Sequence, residues 1–370
     1  MTFRSESGDL LGSVFSCAQT GSATNMLLLF PAMTIALVMV GNFLDLEYAS
    51  KFLRVSGFDE SIGQYRVNSD DACVVIFWFL QFAILRKVVL TAANFVAPFF
   101  NVQSKNIHKF GEQFWIFFYY IISFSTGSFI LWTELPALET KYAWIGYPHF
   151  LSPQMKQYYL IQMAFWMFAL VHVHLDERRK DHVQMVVHHM STITLVVLSY
   201  LSNFTRIGTI VFVNFDFVDI LLPLAKMLRY SQRMFLCNVV FMLFMISFLI
   251  TRIFFFGFIV YRSMFELQGY IPYRYDPESD YYLNRWVHWP AMFLFLVLLV
   301  LMIYWFGLIL RIALRVIDKG EAEDVRSDSD DAEEYVLLQT VGLLYLRCYS
   351  EDEKQVPSAL RPKKEKKKAE

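Results

Sequence analysis

From His288 to Leu310 the chain carries no Asp, Glu, Lys or Arg. An uncharged apolar run of about 20 residues matches the hydrocarbon core of a bilayer. Eight such runs can be read: 24–44, 74–100, 112–133, 157–175, 184–203, 207–228, 235–261 and 288–314. Backbone polar groups in lipid are satisfied only in helices or closed barrels, and these runs lack the alternation of barrel strands. The expected fold class is all-α, a polytopic membrane bundle of about eight transmembrane helices. The first run has no basic segment directly before it and is too long for a signal-peptide core, so it reads as a retained span. The sixth is the weakest, since it holds Asp216, Asp219 and Pro223. Composition agrees: 56% of residues are apolar and 18% charged, against about 25% charged in soluble domains. That excludes a disordered chain, a disulfide-rich secreted module and a nucleic-acid binder with a basic face.

Charge density sets the expected orientation. The connections 101–111, 176–182 and 229–233 are short and basic, and the last span exits into Arg311, Arg315 and Lys319. Those between, 45–73, 134–156 and 262–287, are longer and acid-rich. By the positive-inside bias both termini face the cytosol. Cys17, Cys237 and Cys348 then face cytosol or membrane and only Cys73 lies near the other side, so no lumenal intrachain disulfide is expected. The sequon at Asn203 sits in a turn hugging the membrane and is not expected to be used. Residues 318–370 read as a disordered cytosolic tail, acidic around Ser327 and Ser329. The tail ends in PKKEKKKAE, where Lys367 and Lys368 have the geometry of a dilysine endoplasmic-reticulum retrieval signal.

Ionisable groups inside a span are costly and mark function by default. The fifth span holds His188 and His189, with His182 just before it. At 100° per residue His182 and His189 nearly eclipse, and Thr192, Ser199 and Asn203 fall near that line. The sixth holds Asp216 and Asp219 on one face. The two spans are joined by about three residues and should pack as an antiparallel hairpin. Two imidazoles and two carboxylates are then expected to meet, each carboxylate fixing a tautomer or supporting an imidazolium. Counted from the cytosolic ends, His188 and Asp216 differ in depth by about 10 Å in ideal helices, which favours Asp219 over Asp216. A metal site is not expected: the eight histidines form no HxxxH or HxxHH box.

The stretch from Arg178 to Tyr230 contains RRKD, HH at 188–189, Thr192, SY at 199–200, N-x-x-R-x-G at 203–208, D-x-x-D at 216–219 and AKM at 225–227, in that order. It resembles the longevity-assurance (Lag) motif of ceramide synthases within a TRAM–Lag–CLN (TLC) domain. HKFGEQFW at 108–115, LWTELP at 131–136 and DVRSDSDD at 324–331 are similar to the family as well. Animal members carry His before the first Asp of the D-x-x-D; here Phe215 stands there, as in a fungal-type pattern.

The resemblance implies a TLC domain over 101–317, with a core of six helices, two extra spans in 1–100 and the tail in 318–370. It implies acyl transfer from a fatty acyl-CoA to the amine of a sphingoid base, with no cofactor. His188, His189, Asp216 and Asp219 are then the catalytic candidates. Polyanionic CoA and the substrate headgroups are expected near Arg178, Arg179, Lys180, His182, Arg206, Lys226 and Arg229. An imidazole either acts as general base for direct amine attack or attacks the thioester to form an acyl-imidazole. Acyl-chain selectivity is linked in this family to the last lumenal loop, here around 262–287. The expected assembly is a homodimer or a complex with a small single-pass accessory subunit. The rival class is a TLC protein acting as lipid sensor or translocon-associated chaperone, which lacks a complete HH and D-x-x-D set; this chain has both.

Overall fold

A computed structural model describes residues 31–135, 140–176 and 180–319. Arg178 and Arg179, the tail with Ser327, Ser329, Lys367 and Lys368, and Cys17 and Cys348 lie outside the described residues. Among the described residues seven helices are each long and apolar enough to cross a membrane. They are α3 (Asp71–Val96, prolonged by a 3₁₀ turn to Phe100), α4 (Ile107–Glu134), α5 (Pro153–Leu175), α6 (His182–Leu201), α7 (Thr205–Tyr230), the rod Met234–Phe265, and α11 (Arg285–Lys319). The rod is α8 (Met234–Phe248), a π-helical segment Leu249–Phe255 and α9 (Phe256–Phe265). A short α10 (Leu267–Tyr270) follows it.

The first predicted span is different. Its described part is α1 (Pro31–Phe43), and the chain then turns by 119° into α2 (Glu47–Leu53). Asp45 takes a left-handed φ of 54° between them, a conformation Asp tolerates better than most side chains. The last span overruns its predicted end at 314 and stays helical to Lys319.

The bundle core forms where α3, α4 and α5 meet around Phe82. The rings of Trp115, Tyr119, Phe165 and Phe168 lie 6.4, 5.7, 5.5 and 5.9 Å from it. These are the separations at which edge-to-face and offset contacts are favourable. Helix α4 packs along α7 and α3, while α5 packs along α3 and α6. Small residues set the closest approaches, as expected where lipid supplies no hydrophobic drive between helices. A Cβ on Gly127 of α4 would come within 2.6 Å of Val213 on α7 and 2.5 Å of the Tyr158 hydroxyl on α5.

The loops opposite the basic connections are pinned by a buried network. The β-hairpin β1 (Phe58–Asp59) and β2 (Gln64–Tyr65) bridges to Leu151. Lys156, fully buried near the start of α5, pairs with Asp71 at 2.9 Å. It also donates to the Ser56 and Arg66 carbonyls at 2.6 and 2.7 Å, while Tyr200 donates to Asp71 at 2.7 Å. A buried cation is tolerated only when its protons are taken up in this way. Asn203 turns the chain between α6 and α7 with φ 60° and is buried, its amide donating to the Asp280 carbonyl at 3.0 Å.

Candidate active site

Helices α6 and α7 do not close on each other as a tight hairpin. Each is held by other helices, α6 by α5 and α11 and α7 by α4 and α8. The space left between them is a cavity. Its lining is almost entirely apolar, contributed by α5, α6, α7, α9, α10 and α11. On α6 its lining centres on His188, Thr192, Leu195 and Ser199, continued by Ser202 just past the helix, a line within about 80° at 100° per residue that Val196 and Leu198 flank on either side. From His188 to Ser202 that line is about 21 Å long at 1.5 Å per residue. Trp144, Leu267, Leu283 and His288 close the end near the α6–α7 turn.

His188 sits at the other end. It is buried, with the rings of Trp166 and Trp305 at 5.6 and 5.3 Å and His189 at 5.5 Å. Its Nδ1 is enclosed and has no hydrogen-bond partner. His189 is buried too, but it is not among the lining residues, and its Nδ1 donates to the Met185 carbonyl at 2.8 Å. The stripe expected through His182 and His189 is therefore displaced by one residue, and the cavity-facing line runs through His188. Trp305 ties this end down by donating from Nε1 to buried Asp181 at 3.1 Å.

Thr192, one turn after His188, is the polar atom that stands out. Helical threonines ordinarily return their hydroxyl to the carbonyl four residues back. Thr91, Thr133, Thr194, Thr209 and Thr251 all do so here. Thr192 does not: its Oγ1 is buried on the cavity wall with no partner.

The two aspartates separate. Asp216 lines the cavity with His188; Asp219 does not. Asp216 is buried and its Oδ2 accepts from the Ser123 hydroxyl at 2.5 Å and from Gln162 Nε2 at 3.4 Å. Asp219 turns to Arg252 of the π-helical segment, 2.5 Å away. Arg252 also donates to the Phe215 carbonyl at 3.2 Å and lies over the Phe215 and Phe248 rings at 4.7 and 5.4 Å.

This corrects two expectations. The carboxylate level with His188 is Asp216, because depth is set from the shared turn. Counting from Leu201 and Thr205, His188 and Asp216 differ by two residues, or about 3 Å. Nor do imidazole and carboxylate meet: among the described residues each has other hydrogen-bond partners or none, and the cavity lies between their helices. Arg252, Ser123, Gln162, Trp166 and Trp305 were not anticipated. Only Arg252 left a signal, as the one charged residue within the apolar run 235–261.

The basic candidates fall into two groups. Lys180 is exposed before α6, half-buried His182 lies 5.5 Å from the His174 ring, and Lys226 and Arg229 occupy the last turns of α7. The helix directions put these four at one end of the bundle. Arg206 is in the first turn of α7, at the opposite end, and reaches the Tyr142 carbonyl at 3.4 Å. Its neighbours there are Glu134 and buried His149, whose imidazole is pushed down to about 4, first by burial and then by Arg206. Arg206 is not part of the Lys180–Lys226–Arg229 cluster.

Residues 109–311 match the TLC domain. A ceramide synthase of Gibberella moniliformis is 33% identical over 322 residues, covering 78% of this chain and 74% of that protein. The sphingosine N-acyltransferase lag1 of Schizosaccharomyces pombe is 33% identical over 293 residues, with the same two shares, 78% and 74%. Ceramide synthase 5 of Mus musculus is 34% identical over 228 residues, 60% of this chain and 52% of its own. A shared domain spanning most of the bundle, and a third of all residues kept across three quarters of a fungal relative, make this chain a member of the TLC-domain ceramide synthase family.

Proposed function

We propose that this membrane protein is a ceramide synthase, transferring the acyl group of a fatty acyl-CoA to the amine of a sphingoid base. The observation that carries the reading is the cavity: apolar, about 21 Å long by helix rise, and headed by a buried imidazole. It suits an extended acyl chain whose thioester carbonyl stops at His188. The basic end formed by Lys180, Lys226 and Arg229 then faces the CoA phosphates. This agrees with cytosolic termini, and with a cytosolic supply of acyl-CoA at the endoplasmic reticulum.

His188 acts as nucleophile in this reading. With Nδ1 enclosed, Nε2 is the nitrogen through which it acts. It attacks the thioester carbon, the carbonyl becomes an oxyanion, and collapse breaks the C–S bond, releasing CoA thiolate and leaving an acyl-imidazolium that keeps its Nδ1 proton. The unpartnered Thr192 hydroxyl supplies a donor for the oxyanion. Asp216 takes the proton the ammonium brings; the neutral amine then attacks the acyl-imidazolium, and as the C–N bond to His188 breaks the amine's second proton passes to the freed Nε2 and on to the CoA thiolate. His189 is held in one tautomer by Met185 and packs against His188. The dry cavity protects the acyl adduct from water.

The test uses purified protein, sphinganine and a panel of acyl-CoAs, read by mass spectrometry. Ceramide formation supports the reading, and its absence in folded protein overturns it. Acyl-CoA alone should release CoA in about one equivalent and leave one acyl chain on the peptide carrying His188. An active preparation with neither burst nor adduct would make the histidine a general base only. The assembly, as homodimer or with a small single-pass subunit, is read from the mass of the purified complex in mild detergent.

A further inference from the structure

A second cavity lies on the outer side of Asp216, between α4 and α5. Because α4 and α5 follow different neighbours, they splay apart and leave a groove facing lipid. Its floor is polar. Ser123 and Gln162 both line it, and both donate to the same Asp216 oxygen that is held behind them. Gln162 further contacts the Tyr119 and Tyr158 hydroxyls at 2.7 and 2.9 Å. The walls are apolar, with Ile122 and Phe129 on α4 and Ile161 on α5. At the rim, Thr126, Gln154 and Gln157 are exposed and, among the described residues, take part in no side-chain hydrogen bond. Thr126 lies within its span, where a hydroxyl presented to lipid without a partner is costly, so this position points to a ligand.

Charge identifies the ligand class. Asp71 is paired with Lys156, and Asp219 with Arg252. Asp216 has only neutral donors on Oδ2, and among the described residues nothing donates to Oδ1. It is a buried carboxylate lacking a cation at contact, set between an acyl-sized cavity and a groove open to the membrane. We propose that the α4–α5 groove admits and binds a single-chain lipid amine, the sphingoid base. Its alkyl chain lies along Ile122 and Ile161, its hydroxyls meet the rim amides, and its ammonium approaches Asp216 past Ser123 and Gln162. There the ammonium gives its proton to the carboxylate, leaving a neutral amine with a lone pair for the acyl carbon across α7. This rests on the proposed function and deepens it: the two substrates reach Asp216 from opposite sides.

The test has two arms. First, a photoreactive sphinganine is crosslinked to the unsubstituted protein in membranes, with and without excess sphinganine. The expected adducts map to 119–130 and 154–162 and vanish with the competitor. Adducts confined to other helices overturn the proposal. So does equal labelling of the groove by a photoreactive phosphatidylcholine, which would mark bulk lipid, or labelling insensitive to competitor, as an occupying protein helix would leave. This arm stands even if no ceramide is made, which would sink only the acyltransferase reading. Second, Ile161→Trp and Thr126→Phe should each raise the KM for sphinganine about tenfold, with the KM for acyl-CoA held within about twofold. An unchanged sphinganine KM in both variants, or an equal rise in both constants, overturns the assignment.

Discussion

At the scale of single residues, two kinds of buried polar group separate sharply. The first is left unsatisfied and the second is paired. Thr192 belongs to the first: its hydroxyl is buried on the cavity wall without a partner, and an orphaned donor of this kind costs about 1–3 kcal/mol. Thr192→Val keeps the shape and removes the group. It should lower kcat about a hundredfold or more, the usual loss of an oxyanion donor, while leaving the thermal midpoint unchanged or higher. Thr192→Ser should restore most of the rate. A Val variant at full kcat would reduce Thr192 to wall material. Asp219 and Arg252 belong to the second kind. Removing either alone leaves a charge in the membrane, and about 3–5 kcal/mol is the usual cost of breaking a buried pair. Arg252→Leu should therefore unfold far more readily in detergent than Asp219→Leu/Arg252→Leu, which removes both charges. In the same assay Asp216→Asn should lose activity with little loss of stability, because its partners are neutral. Equal destabilisation of single and double variants would show that the ion pair does not hold the rod against α7.

At the scale of elements, the site depends on how closely the helices approach. Gly208 lies where α7 passes α5, on the cavity wall. A Cβ there would collide with the Tyr159 hydroxyl, which is hydrogen-bonded to Ser199 of α6. Gly208→Ala must push Tyr159 away from Ser199 and spread three helices at once. Overpacking of this kind costs about 1–3 kcal/mol, so the thermal midpoint in detergent should drop by several degrees and the KM for acyl-CoA should rise. An unaltered midpoint would mean that α5 yields freely. The π-helical segment Leu249–Phe255 is a second such device. A π turn re-aims one side chain within a continuous helix, and here it brings Arg252 against Asp219 and the Phe215 carbonyl.

At the scale of the whole molecule, the two ends of the bundle do different work. The end with Lys180, Lys226 and Arg229 is basic and near His188, whereas the other carries the hairpin, the Lys156–Asp71–Tyr200 network and the Asn203 turn. Lys367 and Lys368 have the spacing expected of a dilysine retrieval signal. Changing both to Ser, with a tag placed upstream, should let part of the protein leave the endoplasmic reticulum, measured by microscopy against compartment markers. Unaltered localisation would assign retention to the spans or to a partner.

Much of this was written along the chain, because the physics involved is local. A bilayer demands long apolar helices, so run lengths alone located the seven spans of the described bundle within a few residues. The expense of polar groups in lipid singled out His188, His189, Asp216 and Asp219 from the sequence. The placement of those four was decided only by tertiary packing. Helical periodicity placed the polar line through His189, but the packing of α6 against α5 and α11 turned His188 to the cavity. Depth counted from the wrong ends favoured Asp219, until Arg252 from a distant rod claimed it and left Asp216 between two cavities. Arg206 carries the same charge as Arg229, yet α7 holds them at opposite ends of the bundle. Which helices touch is a non-local outcome of small residues, kinks and paired charges, and it is that outcome which separates the residue facing the cavity from its sequence neighbour.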